Sequence, residues 1–210
     1  MKNFILLDWD GNIARTLDVW LEACRRLLEK RGMHFSDTEI ASCFGRPTES
    51  FNEWGISDVD AALDEMDAYA KQHLPTVELY PDALEVLESL KQSGKHLALI
   101  TTSARAIIMP ALDYHNLHDY FEVITCGDDT EHHKPHPEPL QKTLKALGGT
   151  EAEAIMIGDG DKDLGAAKKA GIDSILFFPP EHVKFYDIEE FKKLNPTHIV
   201  SAFRDILTLV

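Results

Sequence analysis

The chain has 210 residues, a hydrophobic content of 44% and a formal net charge of −15, which suits one domain or a core domain with a modest insertion. The negative charge argues against nucleic acid as a partner, because binding to its backbone needs clustered lysine and arginine. No apolar stretch approaches the roughly 20 residues of a membrane span, and three widely spaced cysteines favour neither a disulfide framework nor a zinc site.

An apolar run at Phe4–Leu7 ends in two carboxylates, Asp8 and Asp10, and then in Gly11. No signal-peptide pattern precedes the run, so we expect a cytoplasmic location. A short apolar run closed by turn-forming residues is typical of a buried parallel strand, and ligands bind just past the carboxyl ends of such strands. Paired carboxylates there can hold Mg²⁺ or supply a nucleophile. The alternative is a solvated turn, in which Asp and Gly are common.

Residues 16–79 carry the periodicity of helices and no pattern that predicts a strand. Apolar residues recur at helical spacing from Leu17 until Gly32, which is a typical stop signal. Ser36 begins a capping-box sequence at the start of a short helix, and a further helix is predicted to open at Ser57. We therefore predict a small helical bundle inserted after the first strand.

From residue 80 onward, short apolar runs alternate with helix-like segments. Strands are predicted at 96–100, 121–126, 154–157, 174–178 and 199–200. Such alternation indicates βαβ units with right-handed crossovers, and hence a parallel sheet. The predicted fold class is α/β, with residues 1–15 and 80–210 forming the core and residues 16–79 forming an all-helical insertion.

Residues able to bind or transfer a phosphoryl group follow the ends of the predicted strands: Asp8 and Asp10, Thr101, Lys134, and Asp159 with Asp163. The carboxyl ends of parallel strands share one edge, so these side chains should converge. Phosphoryl transfer needs such a set, namely a nucleophile, a metal and donors to the phosphoryl oxygens. Each residue alone has a simpler explanation, such as a helix cap for Thr101 or a solvated loop position for Lys134, but the ordered set favours a site.

Four motifs occur in order: Asp8-x-Asp10-Gly-x-x-x-x-Thr16, Ile100-Thr101-Thr-Ser103, Lys134-Pro-His-Pro-Glu138 and Gly158-Asp-x-x-x-Asp163. Together they resemble the motifs of the haloacid dehalogenase superfamily, most closely those of its phosphoglycolate phosphatase branch. The resemblance spans nearly the whole chain and implies a Rossmann-like parallel sheet with helices on both faces, plus a mobile helical cap at residues 16–79. Asn12 and Arg15 depart from the family pattern, in which Thr and often Asp occupy these positions.

The resemblance implies a chemical role for four residues. Asp8 would attack phosphorus and form an aspartyl-phosphate. Asp10 would protonate the leaving oxygen and then activate the water that hydrolyses the intermediate. Thr101 and Lys134 would bind the transferring phosphoryl group. The implied activity is that of a phosphoric monoester hydrolase.

The resemblance also implies Mg²⁺ as cofactor. Asp8, the backbone carbonyl of Asp10 and Asp159 would hold the ion, with Asp163 as a supporting acid. The expected partner is a small phosphorylated metabolite, with neither nucleic acid nor membrane involved. The chain is expected to act as a monomer or a homodimer.

Residues predicted to contact the substrate include the backbone N–H groups of Trp9 and Gly11, together with Thr16, Thr102 and Arg46. Arg46 lies between a glycine and a proline in a tight loop, which should restrain where its side chain points. A guanidinium can grip a carboxylate with two hydrogen bonds, so a substrate with a second anionic group, such as phosphoglycolate, is favoured. The alternative is that Arg46 is a solvated loop residue.

Two other functions remain open on this fold. Sugar-phosphate mutases of the beta-phosphoglucomutase type carry a histidine where this chain has Trp20, which counts against a mutase. A catalytically silent binding protein would usually have lost one of the carboxylates that this chain retains. The ten histidines are predicted to be solvated or to bond locally, rather than to bind a metal.

Overall fold

A computed structural model describes residues 2–210 of the chain. The strands are β1 (Phe4–Leu7), β2 (His96–Ile100), β3 (Val123–Thr125), β4 (Ala154–Gly158), β5 (Asp173–Phe177) and β6 (His198–Val200). The α-helices are α1 (Leu17–Lys30), α2 (Asp37–Ala41), α3 (Pro47–Glu53), α4 (Val59–His73), α5 (Ala83–Gln92), α6 (Arg105–His115), α7 (Glu138–Leu147), α8 (Asp161–Ala170) and α9 (Ile188–Lys192). None of these described helices is both long and apolar enough to cross a membrane.

The six strands form one parallel sheet in the order β3-β2-β1-β4-β5-β6. β1 lies in the middle, where Leu7 is paired with Leu99 of β2 on one side and with Ile157 of β4 on the other. All four residues of β1 are buried, which explains why its sequence is a continuous apolar run rather than an alternation. The predicted α/β fold with a parallel sheet is confirmed.

Alternate residues of β1 face opposite sides of the sheet, as strand geometry requires. Ile5 and Leu7 pack with apolar residues of α5 and α6. Phe4 and Leu6 pack with apolar residues of α7 and α8. Helices therefore cover both faces of the sheet, and the carboxyl ends of the strands lie between the two helical layers.

The segment between β1 and α5 contains α1 to α4, and the structure describes no strand between Leu17 and His73. These helices bury their own apolar cluster, in which Leu28, Ile40 and Phe51 are almost fully inaccessible. The prediction of a helical bundle without strands is confirmed for this segment. One residue of the cluster comes from much later in the chain, because Phe185 packs among the helices.

The chain enters and leaves this helical segment along two adjacent stretches. The N–H of Arg15 donates to the carbonyl of Glu78, and the N–H of Tyr80 donates to the carbonyl of Ile13, each at 2.9 Å. These bonds hold the two linkers side by side at the predicted domain boundaries. The division into two domains itself stays a prediction.

Two elements of the core differ in detail from the apolar pattern of the sequence. The strand predicted at 121–126 is shorter, because a 3₁₀ turn occupies the residues up to Tyr120 and β3 begins at Val123. α5 begins at Ala83. Its inner face carries Val86, Leu87 and Leu90, whereas Leu84 is 47% exposed.

The prediction that every histidine is solvated or bonded locally is wrong for His182. This residue is fully buried, and its Nε2 lies 2.6 Å from the hydroxyl of Tyr80, 102 positions away. Burial lowers the pKa of His182 to about 3, and the nearby Arg15 contributes. The imidazole is therefore neutral and structural. Sequence periodicity carried no sign of this contact because it depends on how distant segments pack.

Candidate active site

Four predicted site residues converge at the carboxyl edge of the sheet. Asp8 directly follows β1, Thr101 follows β2, Asp159 follows β4, and Asp163 lies in the first turn of α8. All four are buried, with exposed fractions of 8%, 3%, 5% and 2% respectively. They meet because parallel strands end at the same edge of the sheet.

Lys134 joins this group from the loop after β3 and is 3% exposed. Its ammonium lies 2.8 Å from Asp8 Oδ1 and 2.7 Å from Asp163 Oδ1, and it donates to the carbonyl of Ile100 at 2.9 Å. Charge-assisted contacts of this length are strong in a low-dielectric interior. Lys134 therefore holds Asp8 and Asp163 at fixed positions relative to each other.

Burial governs the electrostatics of this cluster. The pKa of Asp8 is raised to about 8, mainly by burial and next by repulsion from Asp163, while Lys134 opposes the rise. The pKa of Asp159 is raised well above its usual range, first by burial and then by Asp163. Burial lowers the pKa of Lys134, but attraction to Asp163 and Asp8 outweighs it and leaves that pKa raised. The ammonium of Lys134 therefore stays charged, and its single positive charge does not compensate the negative charge of the surrounding carboxylates.

The donor set fits a divalent cation. Three buried carboxylates, Asp8, Asp159 and Asp163, face one buried ammonium, which leaves a net charge of −2 when all are ionised. One oxygen of each carboxylate lies within 4.8 Å of the others. Asp159 Oδ2 is buried without a hydrogen-bond partner among the described residues, an arrangement that costs free energy unless a cation satisfies it. Hard oxygen ligands of this kind suit Mg²⁺.

The loop after β1 is shaped to let Asp159 approach. Gly11 has a φ of +66°, and a Cβ atom there would lie 2.2 Å from Asp159 Oδ2, so only glycine fits. Thr16 is fully buried, and its hydroxyl accepts the N–H of Gly11 at 3.2 Å. Thr16 therefore supports the loop. Its predicted contact with the substrate stays a prediction.

Asp10 lies beside the buried cluster and is held through both carboxylate oxygens. Trp20 Nε1 donates to Oδ1 at 2.7 Å. Ser103 Oγ donates to Oδ2 at 2.9 Å, and Thr101 Oγ1 lies at 3.4 Å from the same oxygen. The carboxyl group of Asp10 is thus oriented for proton transfer, while the predicted use of its backbone carbonyl as a metal ligand stays a prediction.

The other predicted contacts to the phosphoryl group are engaged within the protein. The N–H of Trp9 donates to Asp8 Oδ1 at 2.8 Å, and the N–H of Gly11 donates to the carbonyl of Ala14 at 3.0 Å. Thr102 is partly exposed at the same edge of the sheet. For all three residues, substrate binding stays a prediction.

Arg46 precedes α3 and lies against its own helical segment. Its guanidinium pairs with Glu53 at 3.2 Å and donates to the carbonyl of Ser42, also at 3.2 Å. The adjacent Gly45 meets the core, because a Cβ atom there would lie 2.6 Å from Lys162 Cε. The loop that carries Arg46 therefore packs on the first turn of α8, next to the acidic cluster.

Sequence reasoning missed several side chains at this site. Ser103 closes the second motif, Ile100-Thr101-Thr-Ser103, and Lys162 lies within the fourth motif, Gly158-Asp-x-x-x-Asp163. Trp20 follows the first motif by one helical turn, a spacing considered only for the mutase alternative. No sequence signal pointed to Tyr186, whose phenol has a pKa raised well above its usual range by burial and by the negative charge of Asp159.

A family comparison agrees with these motifs. The sequence profile of the haloacid dehalogenase-like hydrolases matches residues 5–177. Among named relatives, pyrophosphatase PpaX of Halalkalibacterium halodurans is 28% identical over 99% of this chain and 96% of its own length. Pyrophosphatase PpaX of Bacillus cereus is 31% identical over 80% of each chain.

Solved structures show the same fold. A haloacid dehalogenase-like hydrolase from Bacteroides fragilis superposes with a TM-score of 0.86 and 28% identity, covering 96% of this chain and 98% of the other. A protein from Lactobacillus plantarum described as a phosphoglycolate phosphatase also gives a TM-score of 0.86, at 24% identity and with complete coverage of both chains. At that identity the second likeness concerns the fold alone.

Proposed function

The chain belongs to the haloacid dehalogenase-like hydrolase family, and on that premise we propose that it is a Mg²⁺-dependent phosphatase of small phosphorylated metabolites. The observation that carries the proposal is the buried cluster of Asp8, Lys134, Asp159 and Asp163 beside an oriented Asp10. These residues would supply a nucleophile, an acid–base group and a cation site at the same edge of the sheet. A silent binding protein would have no need to bury so much uncompensated charge.

We propose that Asp8 is the nucleophile. Its Oδ1 is engaged by Lys134 and by the N–H of Trp9, at 2.8 Å each. No described residue donates to Oδ2, which leaves Oδ2 as the attacking oxygen. A bond forms between Oδ2 and phosphorus while the bond from phosphorus to the leaving oxygen breaks, and Asp10 gives its proton to that oxygen.

The second half of the reaction regenerates the enzyme. Water attacks the phosphorus of the aspartyl-phosphate while Asp10 takes a proton from it. The bond between phosphorus and Asp8 breaks, inorganic phosphate departs and Asp8 returns to a carboxylate. Thr101 would bind a phosphoryl oxygen, and Lys134 would do so by exchanging one of its three hydrogen bonds within the protein. Asp8, Asp159 and the backbone carbonyl of Asp10 would hold Mg²⁺, which when bound supplies positive charge against those oxygens.

We also propose that residues 16–79 act as a cap over a core of residues 1–15 and 80–210. The separate apolar cluster of α1 to α4 supports this division. So do the adjacent linkers, which are joined at Arg15 and Tyr80 and could act together as a hinge. The core would then supply the chemistry, and the cap would contact the leaving group.

For the substrate, we propose a small phosphate ester or anhydride with a second anionic group. Phosphoglycolate carries a carboxylate, and pyrophosphate, the substrate class in the name of the relatives, carries a second phosphate. Two cations at the proposed boundary of cap and core could meet that group, Arg46 and Lys162. Pyrophosphate is the second candidate because the named relatives are called pyrophosphatases. The guanidinium of Arg46 could bind either a carboxylate or a phosphate.

The test is phosphate release from a panel of substrates with Mg²⁺ and with excess chelator. The panel includes phosphoglycolate, pyrophosphate, several sugar phosphates and p-nitrophenyl phosphate, and sugar-phosphate isomerisation is followed in parallel. Asp8→Asn should reduce turnover by several orders of magnitude with an unchanged circular dichroism spectrum. Wild-type activity in Asp8→Asn, or full activity in chelator, would contradict the proposal.

A further inference from the structure

Trp20 connects the helical segment to the acid–base residue. It lies on α1, and its indole Nε1 is 2.7 Å from Asp10 Oδ1. The other contacts to this carboxyl group come from the loop after β2, through Ser103 and Thr101 on Oδ2. The two oxygens of Asp10 are therefore held by different parts of the molecule.

The chemistry of these partners distinguishes the two oxygens. An indole N–H can only donate, so Oδ1 must accept from Trp20 and cannot carry a proton directed at it. Hydroxyl groups such as that of Ser103 can either donate or accept. Trp20 therefore fixes Oδ1 as an acceptor, whereas the hydroxyl partners of Oδ2 tolerate either protonation state of that oxygen.

The position of the indole depends on both the helical segment and the core. Trp20 packs on a small apolar cluster made of Ala70 and Leu74, from α4 and the residue that ends it, and Ile107 from α6. α4 belongs to the helical segment, whereas α6 covers the sheet. The hydrogen bond to Asp10 consequently requires the segment to rest on the core as it does here.

We propose that Trp20 is a positioning residue that fixes the orientation of the Asp10 carboxyl group through Oδ1, and so completes the acid–base site only when the helical segment lies on the core. The inference rests on the proposed phosphatase function. Trp20 touches no reacting atom in this scheme. Its effect should appear only in steps that need a proton from Asp10 or a base at Asp10.

Leaving-group dependence separates this role from a structural one. Trp20→Phe should lower kcat/KM for phosphoglycolate, whose alkoxide needs a proton to depart, by about 10–30-fold. For p-nitrophenyl phosphate, whose phenolate departs without a proton, kcat/KM should fall by less than about 3-fold. This parameter reports the steps up to departure of the leaving group, so the later hydrolysis does not obscure it. Trp54→Phe is the matched control, since Trp54 stacks on Phe35 within the helical segment, and it should leave both values unchanged.

A double-mutant cycle makes the test specific to Asp10. In an Asp10→Asn background, Trp20→Phe should change activity on either ester by no more than about 2-fold, because the group that it positions is gone. Should Trp20→Phe misfold, 3-benzothienylalanine at this position keeps the ring shape and removes only the N–H. Equal losses on both esters, no loss on either, or full additivity with Asp10→Asn would overturn the role of Trp20. Absence of hydrolysis by the unaltered enzyme would instead refute the proposed function.

Discussion

Replacing Lys134 with Met should destabilise the protein by about 3–5 kcal/mol in the absence of metal, the usual cost of removing one partner of a buried ion pair. Methionine nearly matches the lysine stem in volume, so the main loss is electrostatic. The ammonium contacts two carboxylates at 2.8 Å and 2.7 Å. Without it, three buried carboxylates face each other with no cation.

The pH dependence of this loss has a definite sign. The pKa of Asp8 in wild type is raised to about 8, chiefly by burial and against the lowering effect of Lys134. Without Lys134 that pKa rises further, so above about pH 8 the folded variant keeps a proton that folded wild type has lost. Folding of the variant is then favoured as the pH falls. The deficit relative to wild type should grow as the pH rises above about 8, and it should change little between about pH 8 and pH 5, where Asp8 is protonated in both folded proteins.

Urea unfolding followed by circular dichroism, in chelator and at several pH values, measures this deficit. The matched control is Lys162→Met, in the first turn of α8, where the aliphatic stem can keep its packing on Gly45. That control should cost less than about 1 kcal/mol. A deficit for Lys134→Met below about 1 kcal/mol, or one that grows as the pH falls, would refute the electrostatic account of the cluster.

Three further outcomes are expected. Asp159→Ala should weaken the apparent Mg²⁺ affinity, measured by titration calorimetry, far more than Lys134→Ala does, and the reverse order would remove Asp159 from the cation site. As the pH falls from about 7 to about 5, wild type should lose about 2 kcal/mol of stability that His182→Gln retains. The reason is that burial lowers the pKa of His182 from 6.5 to about 3, so the unfolded chain takes up the proton before the folded protein does. If the urea midpoints of the two proteins changed with pH in parallel, this explanation would be contradicted. Arg46→Ala or Lys162→Ala should raise KM for phosphoglycolate or pyrophosphate by about 10–100-fold and leave p-nitrophenyl phosphate nearly unaffected, and equal changes on all substrates would exclude that cation.

The sequence was sufficient to predict the sheet and the convergence of the acidic residues, and the reason is local. The run at Phe4–Leu7 has no polar residue and is closed by turn-forming residues, a pattern typical of a strand buried on both faces. Once the strands are parallel, their carboxyl ends share an edge, and Asp8, Thr101 and Asp159 meet there without further information.

The contacts that orient these groups were not predictable in the same way. Trp20 lies in the helical segment, whereas Asp10 lies in the loop after β1. Their hydrogen bond depends on the angle between that loop and α1. The pairing of Arg46 with Glu53 competes with the predicted contact between Arg46 and a substrate. A sequence pattern fixes neither outcome, because both depend on side-chain geometry across a turn or between two layers.

The residues that follow β5 combine these long-range contacts in one short stretch. Phe185 packs into the apolar cluster of the helical segment, while the neighbouring Tyr186 lies close enough to Asp159 for the carboxylate charge to raise its pKa. His182, one turn earlier, bonds to Tyr80 at the linker that leaves the helical segment. This stretch therefore connects the helical segment to the Asp159 side of the site, as the hydrogen bond from Trp20 connects it to the Asp10 side.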